Sequence, residues 1–339
     1  MYPLVRVSLV VSLLLLLGAV YAVPNFDDGL PRNNSTPFLI KEGLDRPYSD
    51  ELVTYPVTFP ANTNPNSLRL YDEDNATFLT FQLASAVYNG GAISSANVSF
   101  WVNTLAAGGQ RNYTLYHDPG TGFSPPTFPA LGVTHTDLAQ DLVEISNGTV
   151  YLRLWGGNQT YSPPADPATL PGILRGVKGV DNTWRGSGAM VASANVAGHT
   201  LSVYEDGPLW RTYLEYLTFP NGQSYQMLFT VFPNRDYVLV HEYGSNTFTW
   251  TNATTRANMQ VFRLNDFAPD RFLSYGTFAQ SITSTTMNTV NTQYYLAGLP
   301  SGPVWGNGGW GGVYATDAAK NDVIGVVPVR TGTWNGAGS

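Results

Sequence analysis

The chain has 339 residues, a formal net charge of -7, 12% charged residues and 17 Lys and Arg against 24 Asp and Glu. So sparse a basic complement argues against a phosphate-backbone binder, and no nucleic acid partner is expected. There is no cysteine, which removes disulfides, zinc–thiolate centres and thiol nucleophiles; stability has to come from hydrophobic cores, and a chain of this length can build two.

Residues 1–22 join Arg6, an apolar run over 7–20 with five consecutive leucines, and the small-residue ending Val20-Tyr21-Ala22. This is the pattern of a secretory signal peptide cut after Ala22, because the apolar run falls short of the roughly 20 residues a helical span needs. A secreted protein follows, with no membrane contact once the peptide is removed. Asn-x-Ser/Thr sequons begin at Asn33, Asn34, Asn75, Asn97, Asn112, Asn147, Asn158 and Asn252; on a glycosylated chain these asparagines belong on the surface.

Residues 23–50 mix turn formers with few apolar residues and read as a mobile lead-in. From Glu51 the chain turns into short β-branched and aromatic runs at 52–59, 67–71, 77–83, 97–103 and 111–117, separated by Asn/Pro/Gly clusters. That alternation predicts a small β-sandwich over 51–118. The Pro/Gly/Ser-rich stretch opening at 118–129 (DPGTGFSPPTFP) marks a linker, taken as 119–140. A larger antiparallel β domain is predicted over 141–339, with runs at 142–145 and 149–154 around Asn147-Gly148, then 173–177, 189–194, 200–204, 259–264, 293–296, 313–315 and 323–329. Nothing longer than about ten residues carries a helical period. The fold class expected is all-β. The ending at 335–339 (NGAGS), soon after a buried-strand pattern, suggests that this second domain is truncated.

The clearest local pattern is a three-strand meander: 209–217 (LWRTYLEYL), 224–232 (SYQMLFTVF) and 236–243 (DYVLVHEY), joined by Pro220-Asn221-Gly222-Gln223 and Pro233-Asn234-Arg235. Asn-Gly is a strong hairpin signal, because a type I′ turn needs φ > 0 at both central residues. A two-residue loop pairs Tyr216 with Met227, Leu214 with Phe229 and Thr212 with Val231; a four-residue second loop pairs Val231 with Val238 and Phe229 with Val240. Register fixes the faces. Leu214, Tyr216, Met227, Phe229, Val231, Val238 and Val240 are then core, and Arg211, Tyr213, Glu215, Gln226, Tyr237, His241 and Tyr243 line the other side.

Two stretches resemble known enzymes. Residues 67–82 (SLRLYDEDNATFLTFQ), 98–102 (VSFWV) and 111–117 (RNYTLYH) are similar to the small β domain of large secreted polysaccharide-degrading enzymes. Residues 143–150 (VEISNGTV), Gly207-Pro208-Leu209 and the meander resemble the β-supersandwich domain of polysaccharide lyases and some glycoside hydrolases, the fold shared with galactose mutarotase. The resemblance implies a supersandwich-like second domain and a glycan or polysaccharide ligand. It carries over no catalytic residue, and the helical toroid or barrel that holds the active site of such enzymes is not visible.

Sugars are held by aromatic faces and by planar polar groups that hydrogen-bond hydroxyls. Arg211, Tyr213, Tyr237 and Tyr243 are therefore candidate ligand contacts. Glu215 and His241, both neighbours of Leu228 in this register and about 10 Å apart at the ~4.8 Å strand spacing, are candidate catalytic groups. His241 would act as base, Glu215 would orient substrate, and Arg211 would neutralise a uronate carboxylate. The competing expectation is that a second sheet simply covers this face. Trp305 and Trp310, set among glycines in WGNGGWGG, are a second candidate stacking platform, and Trp184 with Arg185 a third. The four histidines lie far apart and Asp72-Glu73-Asp74-Asn75 lacks calcium-loop spacing. No cofactor or metal ligand set is assigned, with room left for one structural Ca²⁺. From another class, an extracellular glycoprotein that self-assembles through its β domains fits the same composition.

Overall fold

The computed structural model describes residues 24–138, 141–178, 182–190 and 194–244, and the backbone of five later strands within 260–326. The signal-peptide reading of 1–22, the sequon at Asn252, the strand expected at 293–296 and Trp305 lie outside the described residues. Among the described residues, apart from short 3₁₀ turns at Pro65–Ser67 and Pro167–Thr169, the regular structure is β and every pairing is antiparallel. The all-β expectation is met. The chain divides into two compact units, one of residues up to 130 plus 207–209, the other of the remainder.

In the first unit, β1 (Asn34–Lys41), β7 (Gln110–His117), β3 (Arg69–Asp72) and β4 (Thr77–Leu79) form one sheet in that order. β2 (Tyr48–Thr58), β6 (Ala92–Leu105) and β5 (Phe81–Asn89) form the second. Side chains on alternate strand positions point to opposite faces, so Phe38, Ile40, Leu70, Tyr113 and Leu115 of the first sheet meet Tyr55, Val57, Phe81, Val98, Phe100 and Val102 of the second in one buried cluster. Phe38 stacks on Tyr55 with ring centroids 4.9 Å apart, and Phe100 meets Tyr113 at 4.9 Å. Burying each such ring is worth roughly 1.5–3 kcal/mol.

The lead-in expected at 23–50 is instead part of this unit. Arg32 is buried, donates from Nε to the Ser67 carbonyl (2.9 Å) and from Nη2 to Asp28 (2.7 Å), and lies between the Phe26 and Phe123 rings. Arg69, also buried, donates to Asp27 (2.7 Å) and to the Ser124 carbonyl (3.1 Å). The polar residues that gave the segment its loop-like composition are the ones that fasten it, and β1 pairs with β7 over its whole length.

In the second unit, β13 (Trp184–Arg185), β12 (Leu174–Lys178), β10 (Tyr151–Trp155), β9 (Leu142–Ser146) and β8 (Thr134–Leu138) make one five-stranded sheet. β8 lies in the stretch read as a linker. β11 (Asn158–Ala165), β15 (Val196–Asp206), β16 (Arg211–Thr218), β17 (Ser224–Val231) and β18 (Val238–Gly244) make the other. Val143, Ile145, Leu152 and Leu154 of the first share a buried core with Tyr213, Leu217, Tyr225, Met227, Phe229 and Val231 of the second. β14 (Ser187–Met190) pairs with β19 (Gln260–Arg263). β20 (Arg271–Gly276), β21 (Thr283–Thr286), β22 (Trp310–Ala315) and β23 (Val323–Val326) form a further sheet in the order β21-β20-β22-β23.

Candidate functional site

The meander forms, with one difference that decides its chemistry. Phe219 N donates to the Gln223 carbonyl and Gly222 N to the Phe219 carbonyl, both at 3.0 Å, with Gly222 at φ +78. The loop is therefore three residues, Pro220-Asn221-Gly222, closed by a glycine in the left-handed region, the other common short hairpin geometry. Thr218 faces Ser224, Tyr216 faces Gln226 and Leu214 faces Leu228, one residue away from the expected register. The second turn gives the expected pairs, Val231 with Val238 and Phe229 with Val240.

A slip of one residue exchanges the faces of a strand. Tyr213 and Glu215 go into the core, each 0% exposed, while Leu214 and Tyr216 turn outward to half-buried positions. Glu215 pairs with Met227 on the inner side, and His241 pairs with Leu228 on the outer. The expected catalytic pair is thus on opposite faces of the sheet and is not assembled. Arg211 is bound to Asp206 through Nε (2.8 Å) and Nη2 (2.9 Å), the residue directly across from it on β15.

The other predicted contacts are dispersed. Tyr237 is exposed beside Phe232, with ring centroids 5.7 Å apart, and Tyr243 is exposed with its hydroxyl 3.4 Å from His241 Nδ1. Trp184 is half-buried on β13 with the Arg153 guanidinium 4.0 Å over its ring. Arg185, next in the same strand, is buried and donates to the Thr183 carbonyl, so the two do not form one platform. Of Trp310 the backbone is described, in β22.

Glu215 does have a histidine partner, one that sequence reasoning missed. His199 on β15 is diagonal to Glu215, and its Nε2 lies 2.6 Å from Glu215 Oε2. Both side chains are 0% exposed, and the Trp155 ring lies flat on the imidazole at 3.7 Å with 1° between planes. Burial lowers the His199 pKa to about 4 and pushes Glu215 well above the usual carboxylate range. Together they favour a pair that holds one proton and no net charge. With no solvent access this pair is an element of the core and offers no surface to a substrate.

What the observed register does build is an uncharged transect across the outer face of the second sheet. Asn158, Thr200, Tyr216, Gln226 and Tyr243 are directly opposite one another on β11, β15, β16, β17 and β18. The Thr200 hydroxyl donates to Asn158 Oδ1 at 3.1 Å. At ~4.8 Å per strand the row is roughly 19 Å long, with Tyr216 and Tyr243 about 10 Å apart. Beside it run Ser202, Leu214, Leu228 and His241. None of these nine residues carries a permanent charge. Tyr216 was assigned to the core, and reading Pro220-Asn221-Gly222 as a three-residue loop would have turned it outward. Among the described residues no group of three or more metal-ligating side chains comes together.

Comparison of the chain with protein-family models and with curated proteins gave no match.

Proposed function

We propose that the protein is a secreted glycan-binding protein, the β-sandwich portion of the kind of system that degrades polysaccharide. The supporting observation is the Asn158–Thr200–Tyr216–Gln226–Tyr243 transect. Phenol rings present flat apolar surface to the C–H face of a pyranose, while the amides and hydroxyls between them both donate to and accept from sugar hydroxyls. The spacing of Tyr216 and Tyr243 suits stacking on alternate rings of an extended chain. The absence of permanent charge from the row favours neutral polysaccharide over uronate polymers. Binding, and not bond cleavage, is the role assigned to this face.

Affinity electrophoresis on neutral and acidic polysaccharides tests the reading. Tyr216→Ala and Tyr243→Ala each weaken binding to a neutral chain by roughly tenfold, as loss of an aromatic anchor does. Unchanged binding in both variants overturns it. Concentration-dependent polymers with no glycan retention favour the alternative, a structural glycoprotein that assembles through its β domains.

A further inference from the structure

The first unit carries a cleft of about 590 Å³ that the transect does not involve, at the end of the sandwich where β2 begins, β6 ends and β7 starts. Its polar lining comes from Ser49, Asp74, Thr104, Gln110 and Arg111, with Tyr48 as its one ring. The size falls within the ~300–1,000 Å³ usual for small-ligand sites, and a few placed polar groups against a ring is their usual composition.

Arg111 is the centre of it. Its Nη1 donates to Asp72 Oδ2 and its Nη2 to Thr104 Oγ1, both at 3.1 Å, so the guanidinium is fixed between a strand of one sheet and a strand of the other. A guanidinium has five N–H donors, more than Asp72, Thr104 and the neighbouring Tyr113 take up. Asp74 lines the same cleft, its Oδ2 accepting from the Asn112 backbone N–H at 2.9 Å and its Oδ1 from Asn112 Nδ2 at 3.5 Å, with carboxylate lone pairs left for a ligand. Ser49 and Thr104 face each other across β2 and β6.

The geometry points to a binding site for the end of a neutral saccharide. A carboxylate and a guanidinium lining one cleft suit a sugar's hydroxyls, which donate to Asp74 and accept from Arg111. Arg111 and Arg46, whose guanidinium lies 5.9 Å over the Tyr48 ring, balance Asp72 and Asp74 around the cleft, which selects against an ionised ligand. Tyr48, half-buried, lines the cleft, and Ser49 and Gln110 supply further hydroxyl partners at the exposed rim. The choice of ligand class rests on the glycan-binding reading above, while the residues are a different set.

Isothermal titration of the full-length protein with neutral mono- and disaccharides, and with glucuronate and glucosamine as charged probes, tests this. Ser49→Trp fills the mouth from an exposed position and Gln110→Ala removes a rim partner; a thermal melt checks that both fold. The expected result is saturable binding of a neutral saccharide, weakened at least tenfold in Ser49→Trp and severalfold in Gln110→Ala, and unchanged in Tyr216→Ala. Binding unaffected by Ser49→Trp, tighter binding of a charged probe, or no neutral saccharide bound overturns the cleft assignment. Polysaccharide retention lost in Tyr216→Ala, together with small-saccharide binding that Ser49→Trp does not weaken, leaves the sheet face standing without the cleft.

Discussion

His199 Nε2 sits 2.6 Å from Glu215 Oε2 with neither side chain reaching solvent, so the two titrate as one unit inside the second core. Free in an unfolded chain, the histidine titrates at 6.5 and the carboxyl at 4.5; folded, the first falls to about 4 and the second rises well above its ordinary value. Between pH 4.5 and 6.5 the unfolded pair and the folded pair each hold one proton, so their contributions to the pH slope cancel. Above 6.5 the unfolded pair loses its proton while the folded pair keeps it, and stability falls as pH rises. Below 4.5 the unfolded pair gains a second proton before the folded one does, and stability falls as pH drops towards 4. The slope on the alkaline arm approaches ~1.4 kcal/mol per pH unit. Urea titrations from pH 4 to 9 measure it. Glu215→Gln should abolish the alkaline arm and leave stability rising up to 6.5; an alkaline arm identical in both proteins rules the shared proton out.

Arg69 holds the start of the chain to the first sandwich through Asp27 and the Ser124 carbonyl while almost fully buried itself. Arg69→Ala leaves the Ser124 carbonyl without its donor and breaks a pair whose Asp27 side is half exposed, so it should cost about 1–3 kcal/mol, the usual penalty for a buried polar group left unpaired. Arg69→Lys keeps the charge but loses the planar fork, and should fall between. Denaturant midpoints of the three proteins, ordered Arg, Lys, Ala, check this; proteolysis of the segment before β2 should accelerate in the same order.

Gly188 on β14 packs so closely on the 172–174 stretch that a Cβ there would lie 2.0 Å from the Leu174 carbonyl oxygen. Backbone cannot yield as a side-chain tip can. Gly188→Ala should therefore lower stability by about 1–3 kcal/mol, the usual cost of forced overpacking, seen as a drop in Tm of several degrees. A melting curve indistinguishable from wild type would contradict the contact.

The sequons divide by burial. Asn147 is 1% exposed, and its Nδ2 donates to the carbonyls of Phe232 (2.7 Å) and Arg235 (2.8 Å) while its Oδ1 accepts from Thr149 and Val150. An amide so engaged has no room for a sugar. Asn75 and Asn158 are exposed. Peptide mass spectrometry of protein made in an N-glycosylating host should find sugar at Asn75, which lies outside the proposed glycan-binding row, and none at Asn147. Asn147→Ala removes four hydrogen bonds of a buried group and should destabilise by at least 1–3 kcal/mol.

The expectation that every sequon asparagine is superficial fails at Asn147 for a reason legible in the chain: Asn-Gly also marks a turn, and an asparagine that organises a turn with its own side chain is the commoner use. Strand content was readable along much of the chain, because alternation such as that along β17 is a one-dimensional signal, but β1 and β8 fell in stretches read as lead-in and linker, and β11, β20 and β21 were not expected. The inner face of β17 was readable too, since Met227, Phe229 and Val231 are buried as expected with Val238 packed against them, whereas Val240, expected in the core, is exposed on the edge strand β18. β16 was not, because Tyr213, Glu215 and Leu217 are no more apolar as a set than Leu214 and Tyr216. Nothing local marks His199 as the partner of Glu215; the pairing depends on which strand lies beside β16.

That hairpin loop sets a parity rule for variation. A deletion of Asn221 alone would swing Tyr213 and Glu215 to solvent and bring Tyr216 and Thr218 inside, inverting a central strand of a five-stranded sheet. Length changes in steps of two leave the alternation in phase. Homologous chains should accordingly differ here by even numbers, and a library that randomises loop length should yield folded members at alternate lengths.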